Sequence, residues 1–222
     1  MLGPDAIVIT GDITDEGILP QFEHAVTELK RFSCQQLIVI PGNHDYRHTG
    51  YLLFKRFFPT RQIYEMDDIL LLTVGTARPD RDEGEVGFRQ LSWMQKTIEN
   101  FEGQRKKFII AMHHHLIGIP DTGTDKIIIL DAGDTLRACL ASRIDLVLCG
   151  HKHRPWLWKL GDLQIAYAGT ASSFRFRGFF KNSYNIVKIR QEEMKLTLKI
   201  VGGRSFPLSD LVSNYRPFMK PL

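Results

Sequence analysis

Four apolar runs in this 222-residue chain end on side chains that can offer electron pairs. "IVITGD" ends at Asp12, and "LIVIPGNHD" ends at Asn43, His44 and Asp45. "FIIAMHHH" ends at His113 with His114 and His115 behind it, and "LVLCGHKH" ends at His151 and His153. An ionisable group at the end of a buried strand needs a compensating partner. Oxygen and imidazole donors gathered in one place suit a divalent transition ion such as Mn, Fe, Zn, Co or Ni. The Asp12 carboxylate has two oxygens and can bridge a pair of ions. Asn43 adds a neutral amide oxygen, and His113, His151 and His153 supply imidazoles. His151 and His153 stand two apart, and each is read as reaching a different ion. Two ions about 3.5–4 Å apart activate a shared water and clamp an in-line displacement at phosphorus.

The elements that must position these donors alternate. Ala6–Thr10, Leu37–Ile40, Ile69–Val74, Phe108–Met112 and Asp145–Cys149 read as strands. Pro20–Phe32, Tyr51–Phe58, Phe88–Phe101 and Thr135–Ser142 read as helices, with Phe22, Val26 and Leu29 forming one apolar stripe and Leu91, Met94, Ile98 and Phe101 another. From Trp156 onward the helices stop. Leu163–Ala168, Tyr184–Arg190 and Lys195–Val201 read as consecutive strands of a β meander. The expected fold class is α/β, with the donors gathered outside the carboxyl ends of the strands, as in open α/β sheets. Gly11, Gly42 and Gly150 precede three of the donor sets, where a glycine permits a sharp exit and close backbone approach. Six of the eight histidines lie in these blocks, which separates a cluster from chance.

In this order and spacing, "GDITD" (11–15), "GNHD" (42–45), "MHH" (112–114) and "GHKH" (150–153) resemble the calcineurin-like metallophosphoesterases. The resemblance covers roughly residues 5–172, and "AGTASS" (168–173) belongs to it. It implies an α/β sandwich of two packed mixed sheets flanked by helices, hydrolysing phosphate mono- or diesters. By resemblance, Asp12 bridges two metal ions. Asn43, His113 and His151 complete one site, and His153 belongs to the other. His44 is similar to the family histidine that binds phosphate and assists the leaving group, with Asp45 orienting it. His114 is a rival to His113 as ligand; otherwise His114 and His115 are supporting residues. One departure stands out. The family's first motif, an Asp-x-His upstream of the Gly-Asp block, has no counterpart in the ten residues before Gly11. Asp5 precedes the strand and lies about 16–23 Å from its donor end, at ~3.3 Å per residue. The expectation is therefore a single, N-terminally incomplete domain over residues 1–222, lacking the first strand, with the second metal site weak.

Composition sets the outer bounds. At 43% hydrophobic the chain can bury one sizeable core, and no apolar run approaches the ~18 residues of a membrane span. The three cysteines read as reduced core residues, which favours a soluble, cytoplasmic setting. A net charge of +4 tolerates an anionic phosphate-ester substrate without arguing for nucleic acid. Arg47 and Arg78 read first as solvated loop charges and second as phosphate contacts, His24 and His48 as surface residues, and Ser172–Lys181 as a loop beside the donor edge ahead of a nucleic-acid or lipid surface. Two other readings remain open: a catalytically impaired phosphoesterase-like module holding one metal, and a structural zinc site, which the Asn-containing donor set disfavours. Cyclic nucleotides, other phosphodiesters, phosphomonoesters and lipid-linked pyrophosphates all remain compatible as substrates.

Overall fold

Alternating side chains along the long strands separate two apolar layers, and that alternation builds the molecule. The computed structural model describes residues 3–101, 103–104, 106–123, 126–179, 181–190 and 193–214. In chain order it contains β1 (Ala6–Ile9), α1 (Leu19–Leu29), β2 (Gln36–Val39), α2 (Gly50–Phe57), β3 (Ile63–Met66), β4 (Ile69–Thr73), α3 (Phe88–Glu99), β5 (Lys107–Ala111) and α4 (Ala132–Ala141). Then follow β6 (Leu146–Cys149), β7 (Trp156–Leu160), β8 (Leu163–Tyr167), β9 (Ser183–Arg190), β10 (Glu193–Ile200), β11 (Ser205–Pro207) and α5 (Ser209–Ser213).

Six strands form one sheet in the order β3-β4-β5-β6-β8-β7, parallel through its middle and antiparallel at both edges. Leu70, Leu72, Ile110, Met112, Val147, Cys149, Ile165 and Tyr167 point to one face, where Leu91, Met94 and Ile98 of α3 and Ala138 and Cys139 of α4 cover them. Leu71, Ile109, Ala111, Leu146 and Ala166 point to the other face. That second face packs against Ile38 and Val8 of the parallel pair β1–β2, and against Leu196, Leu198 and Val187 of the antiparallel β9–β10–β11 sheet. Outside β1–β2, Phe22 of α1 and Phe54 of α2 form a third cluster with Val39 and Tyr46. Sheets packed face to face with helices outside make the expected α/β sandwich. No helix among the described residues is long and apolar enough to cross a membrane.

Several local expectations need correction. β8 pairs in parallel with β6 inside the large sheet, so residues 163–201 are not one meander. Short strands at β3 and β7, each in a hairpin with its successor, were not foreseen, nor were β11 and α5. α1 stops at Leu29 rather than Phe32, and α4 begins at Ala132 rather than Thr135. The expected domain boundary residues 1–2 and 215–222 lie outside the described residues, as does Phe180 of the predicted loop.

Candidate metal centre

The donors do not share the edge of a single sheet. Asp12 and Asn43 follow β1 and β2, whereas His113 and His151 follow β5 and β6 of the facing sheet. The site therefore lies where the carboxyl ends of two packed sheets meet. Close backbone contact makes this junction. The Nδ1–H of His113 donates to the Thr10 carbonyl across it at 2.6 Å, and Gly150 packs on the Thr10 side chain. A Cβ on Gly42 would collide with the Asp12 carboxylate and lie 2.6 Å from the Asp12 nitrogen. Gly42→Ala is thus expected to lower stability by on the order of 1–3 kcal/mol, as overpacked sites do, and to displace Asp12. Thermal unfolding of the variant checks this; an unchanged midpoint would mean that the loop relaxes freely.

Three of the donor residues are held in the left-handed region, Asp12 at φ 58°, His151 at φ 73° and His153 at φ 53°. Such conformations cost ~1–3 kcal/mol each away from glycine, and they persist where surrounding contacts over-determine them. Asp45 provides those contacts at Asp12. Fully buried, its carboxylate accepts from the backbone N–H groups of Asp12, Thr14 and Gly42 and from the Thr14 hydroxyl, all at 2.8–2.9 Å. Burial, reinforced by the neighbouring Asp12 carboxylate, pushes the Asp45 carboxyl up to about 7, against the pull of the Gly42 and Thr14 donors. Asp45 was expected to orient His44; its side chain instead staples the β1 loop to the β2 loop. The His44 ring is held by Asp15, whose carbonyl lies 2.9 Å and carboxylate 3.0 Å from Nδ1, with Arg47 3.5 Å from Nε2. Burial pushes the Asp15 carboxyl up, but a bidentate bond from Arg175 at 2.9 and 3.1 Å and its charge, together with His44, hold the group below its usual value.

At the centre, Nε2 of His113 lies 3.1 Å from Asn43 Oδ1, 3.1 Å from His151 Nδ1 and 3.4 Å from Asp12 Oδ2. His151 Nδ1 lies 3.0 Å from Asn43 Oδ1. Tautomers follow from the carbonyls on the outer side of each ring. His113 donates through Nδ1 to Thr10, and His151 donates through Nε2 to the Lys126 carbonyl at 3.2 Å. The Asn43 amide N–H₂ donates to Asp82 Oδ1 at 3.2 Å, which turns its oxygen inward. Two nitrogen lone pairs, an amide oxygen and a carboxyl oxygen therefore face one another with no ring N–H between them, since burial pushes the His113 imidazole down to about 3 and lowers His151 as well. Acceptors at such distances repel unless a cation stands between them. The donor set fits a transition ion.

His113, His114 and His151 bring ligand atoms within 4.8 Å of one another, a cluster able to hold one metal ion. Among the described residues no second group of three or more such side chains is found. His114 differs from its companions because both of its nitrogens have partners, Thr76 Oγ1 at 2.8 Å and the Asp82 carbonyl at 3.0 Å. His115 donates through Nε2 to the Gly150 carbonyl and packs its ring on Tyr167, which supports the turn that presents His151. His153 stands apart from the cluster. Its Nδ1 faces the Arg175 carbonyl at 2.7 Å, so its Nε2 remains as the available nitrogen.

Acidification should destabilise the metal-free fold. Burial lowers His113 and His115 to about 3, and lowers His114 and His151 as well, while unfolded histidine titrates near ~6.5. Below that value the unfolded chain takes up protons that the fold excludes, so each imidazole costs about 1.4 kcal/mol per pH unit until its folded value is reached. Asp12 and Asp45, both raised, act in the opposite sense, leaving four imidazoles against two carboxyls. Thermal unfolding in chelator should show the midpoint falling as the pH drops from 6.5 toward 4. A flat profile would mean these histidines are hydrated.

Beside the cluster opens a cleft of about 450 Å³, walled by charged side chains including Arg47, Arg81, Asp82 and Lys126, without a Phe, Tyr or Trp among its described lining. The sequence did not single out Asp82 or Lys126, which lie in charged loops between motifs; it gave no role to Asp15, which closes the GDITD block, or to Arg175 in the 172–181 loop, and it read Arg47 first as a solvated charge and second as a phosphate contact. The one legible signal was position: Arg47 follows His44 by one turn.

Residues 2–155 match the model of the calcineurin-like phosphoesterases. A probable cyclic nucleotide phosphodiesterase of Coxiella burnetii is 32% identical over 176 residues, covering 76% of this chain and 65% of that protein. A probable glycerophosphodiester phosphodiesterase of Arcobacter nitrofigilis is 28% identical over 166 residues, covering 68% of this chain and 57% of that one. The chain thus spans less than two-thirds of the length of either relative. A dimetal phosphatase from Danio rerio shares the fold, with a TM-score of 0.59 at 12% identity over 88% of this chain and 80% of that one.

Proposed function

This chain belongs to the calcineurin-like phosphoesterases, and from that premise we propose that it hydrolyses a phosphate ester around a metal held by Asp12, Asn43, His113 and His151. The convergence of four acceptors, each turned inward by a bond on its far side or by its loop, carries the reading. A divalent transition ion bound there supplies Lewis acidity, lowering the pKa of water and drawing charge from a phosphoryl oxygen. The chain's own residues do the rest. His44 is fixed through Nδ1 by Asp15, which leaves Nε2 to hold the proton that a departing alkoxide needs. Arg47, bonded to the Asp15 carbonyl and Glu16, keeps a guanidinium beside that nitrogen to bind a phosphoryl oxygen. The cleft receives the alcohol portion. Its charged walls favour a polar group, and the phosphodiester named for both relatives is the class we favour.

In the dinuclear form of this reading, Asp12 would serve both ions and His153 would serve the second through Nε2. A one-metal module is the stronger alternative, because three histidines cluster at a single position and His153 lies outside it. Elemental analysis after dialysis separates the forms: about one tightly held ion is expected, with a second retained only in excess Mn or Zn. Two equally retained ions would overturn the one-strong-site account. Hydrolysis of an aryl phosphodiester that appears with metal and vanishes with chelator tests the activity; binding without turnover would leave the module.

A further inference from the structure

One residue with several contacts to the site lies in no motif. Asp82 Oδ1 accepts from the Asn43 amide at 3.2 Å, and the Asp82 carbonyl accepts from His114 Nε2 at 3.0 Å. Its other oxygen lies 3.9 Å from the Lys126 ammonium, and the Lys126 carbonyl accepts from His151 Nε2 at 3.2 Å. An amide can present either end to a cation, but only the oxygen can coordinate one. Thr10 and Lys126 decide the outer partner of the two imidazoles. For the buried Asn43 side chain that decision falls to Asp82.

We propose that Asp82 is a positioning residue for the metal site, holding the Asn43 amide with its oxygen inward while its backbone carbonyl keeps His114 turned away from the ion. This inference rests on the metal reading above. The role is geometric rather than coulombic. What matters is an acceptor oxygen at the end of the Asp82 side chain, and the negative charge adds little. The Asp82–Lys126 pair is long and about half exposed on both sides, so it contributes weakly. Lys126 acts through its carbonyl, which every residue has.

The exposed position of Asp82 lets variants fold, and a melting curve for each confirms it. Affinity for Zn²⁺ is then read by competition with a chromophoric chelator, a measurement that needs no turnover. Asp82→Ala is expected to weaken binding about 10–100-fold, as loss of a ligand's outer partner does. Asp82→Asn, which keeps an acceptor oxygen, should remain within ~3-fold of the parent, as should Lys126→Met. Equal affinity in Asp82→Ala and the parent would overturn the inference alone. Equal losses in Asp82→Ala and Asp82→Asn would overturn it in favour of a charge effect. A parent chain that binds no Zn²⁺ would overturn the metal reading, and this inference with it.

Discussion

Replacing His113 with alanine is expected to remove the tightly held ion and lower metal-dependent hydrolysis by ~10³-fold or more, since Lewis-acid stabilisation contributes several kcal/mol. His113 is the hinge of the cluster. Its Nε2 lies within 3.4 Å of Asn43, His151 and Asp12, and its Nδ1 bridges the two sheets through Thr10. Alanine removes a ligand and opens a void at a residue that is 1% exposed. Fold damage and ligand loss are separated by His113→Gln, which fills much of the void without an imidazole. If His113→Gln melts like the parent but fails to retain metal, the ligand role stands. If His114→Ala loses the ion and His113→Gln keeps it, the assignment passes to His114.

His44→Ala should spare the metal and still be nearly inactive, with kcat reduced by roughly 10²–10⁴. The side chain makes none of the contacts that define the cluster; its backbone N–H alone touches it, donating to Asp12 Oδ1 at 3.1 Å, and alanine keeps that N–H. A group that protonates a leaving oxygen acts in the transition state, so kcat carries the loss and KM changes little. The loss should shrink with a nitrophenyl leaving group, which needs less protonation. Equal sensitivity for good and poor leaving groups would make His44 a phosphate-binding residue instead. Asp15→Asn should show a milder fall of about tenfold, because the Asp15 carbonyl still holds Nδ1.

The donor residues were legible because strand ends concentrate them: an apolar run, a glycine, then Asp, Asn or His. Asp12, Asn43 and His151 follow that pattern, and His113 follows it without the glycine. Pairing between distant strands left no local trace. β8 reads like the strands after it, and only its bonds to β6, with β7 intervening in the chain, place it in the large sheet. Edge strands β3 and β7 are short, and β3 has a mixed, half-exposed pattern, so periodicity does not mark it. Asp45 was misassigned because a carboxylate beside a candidate catalytic histidine suggests a dyad. Its depth in the loops, where backbone N–H groups need acceptors, decides otherwise. Asp82 and Arg175 looked like any solvated charge, since their meaning lies in which carbonyl or amide the fold brings to them.

Anomalous scattering from crystals grown with Mn or Zn and measured at the metal edge tests the central claim most directly. The account predicts a strong peak about 2.0–2.2 Å from His113 Nε2, His151 Nδ1, Asn43 Oδ1 and an Asp12 oxygen, with His114 still bonded to Thr76 and Asp82. A peak on His114 without Asn43 and Asp12, or no peak at this junction in metal-loaded protein, would contradict it.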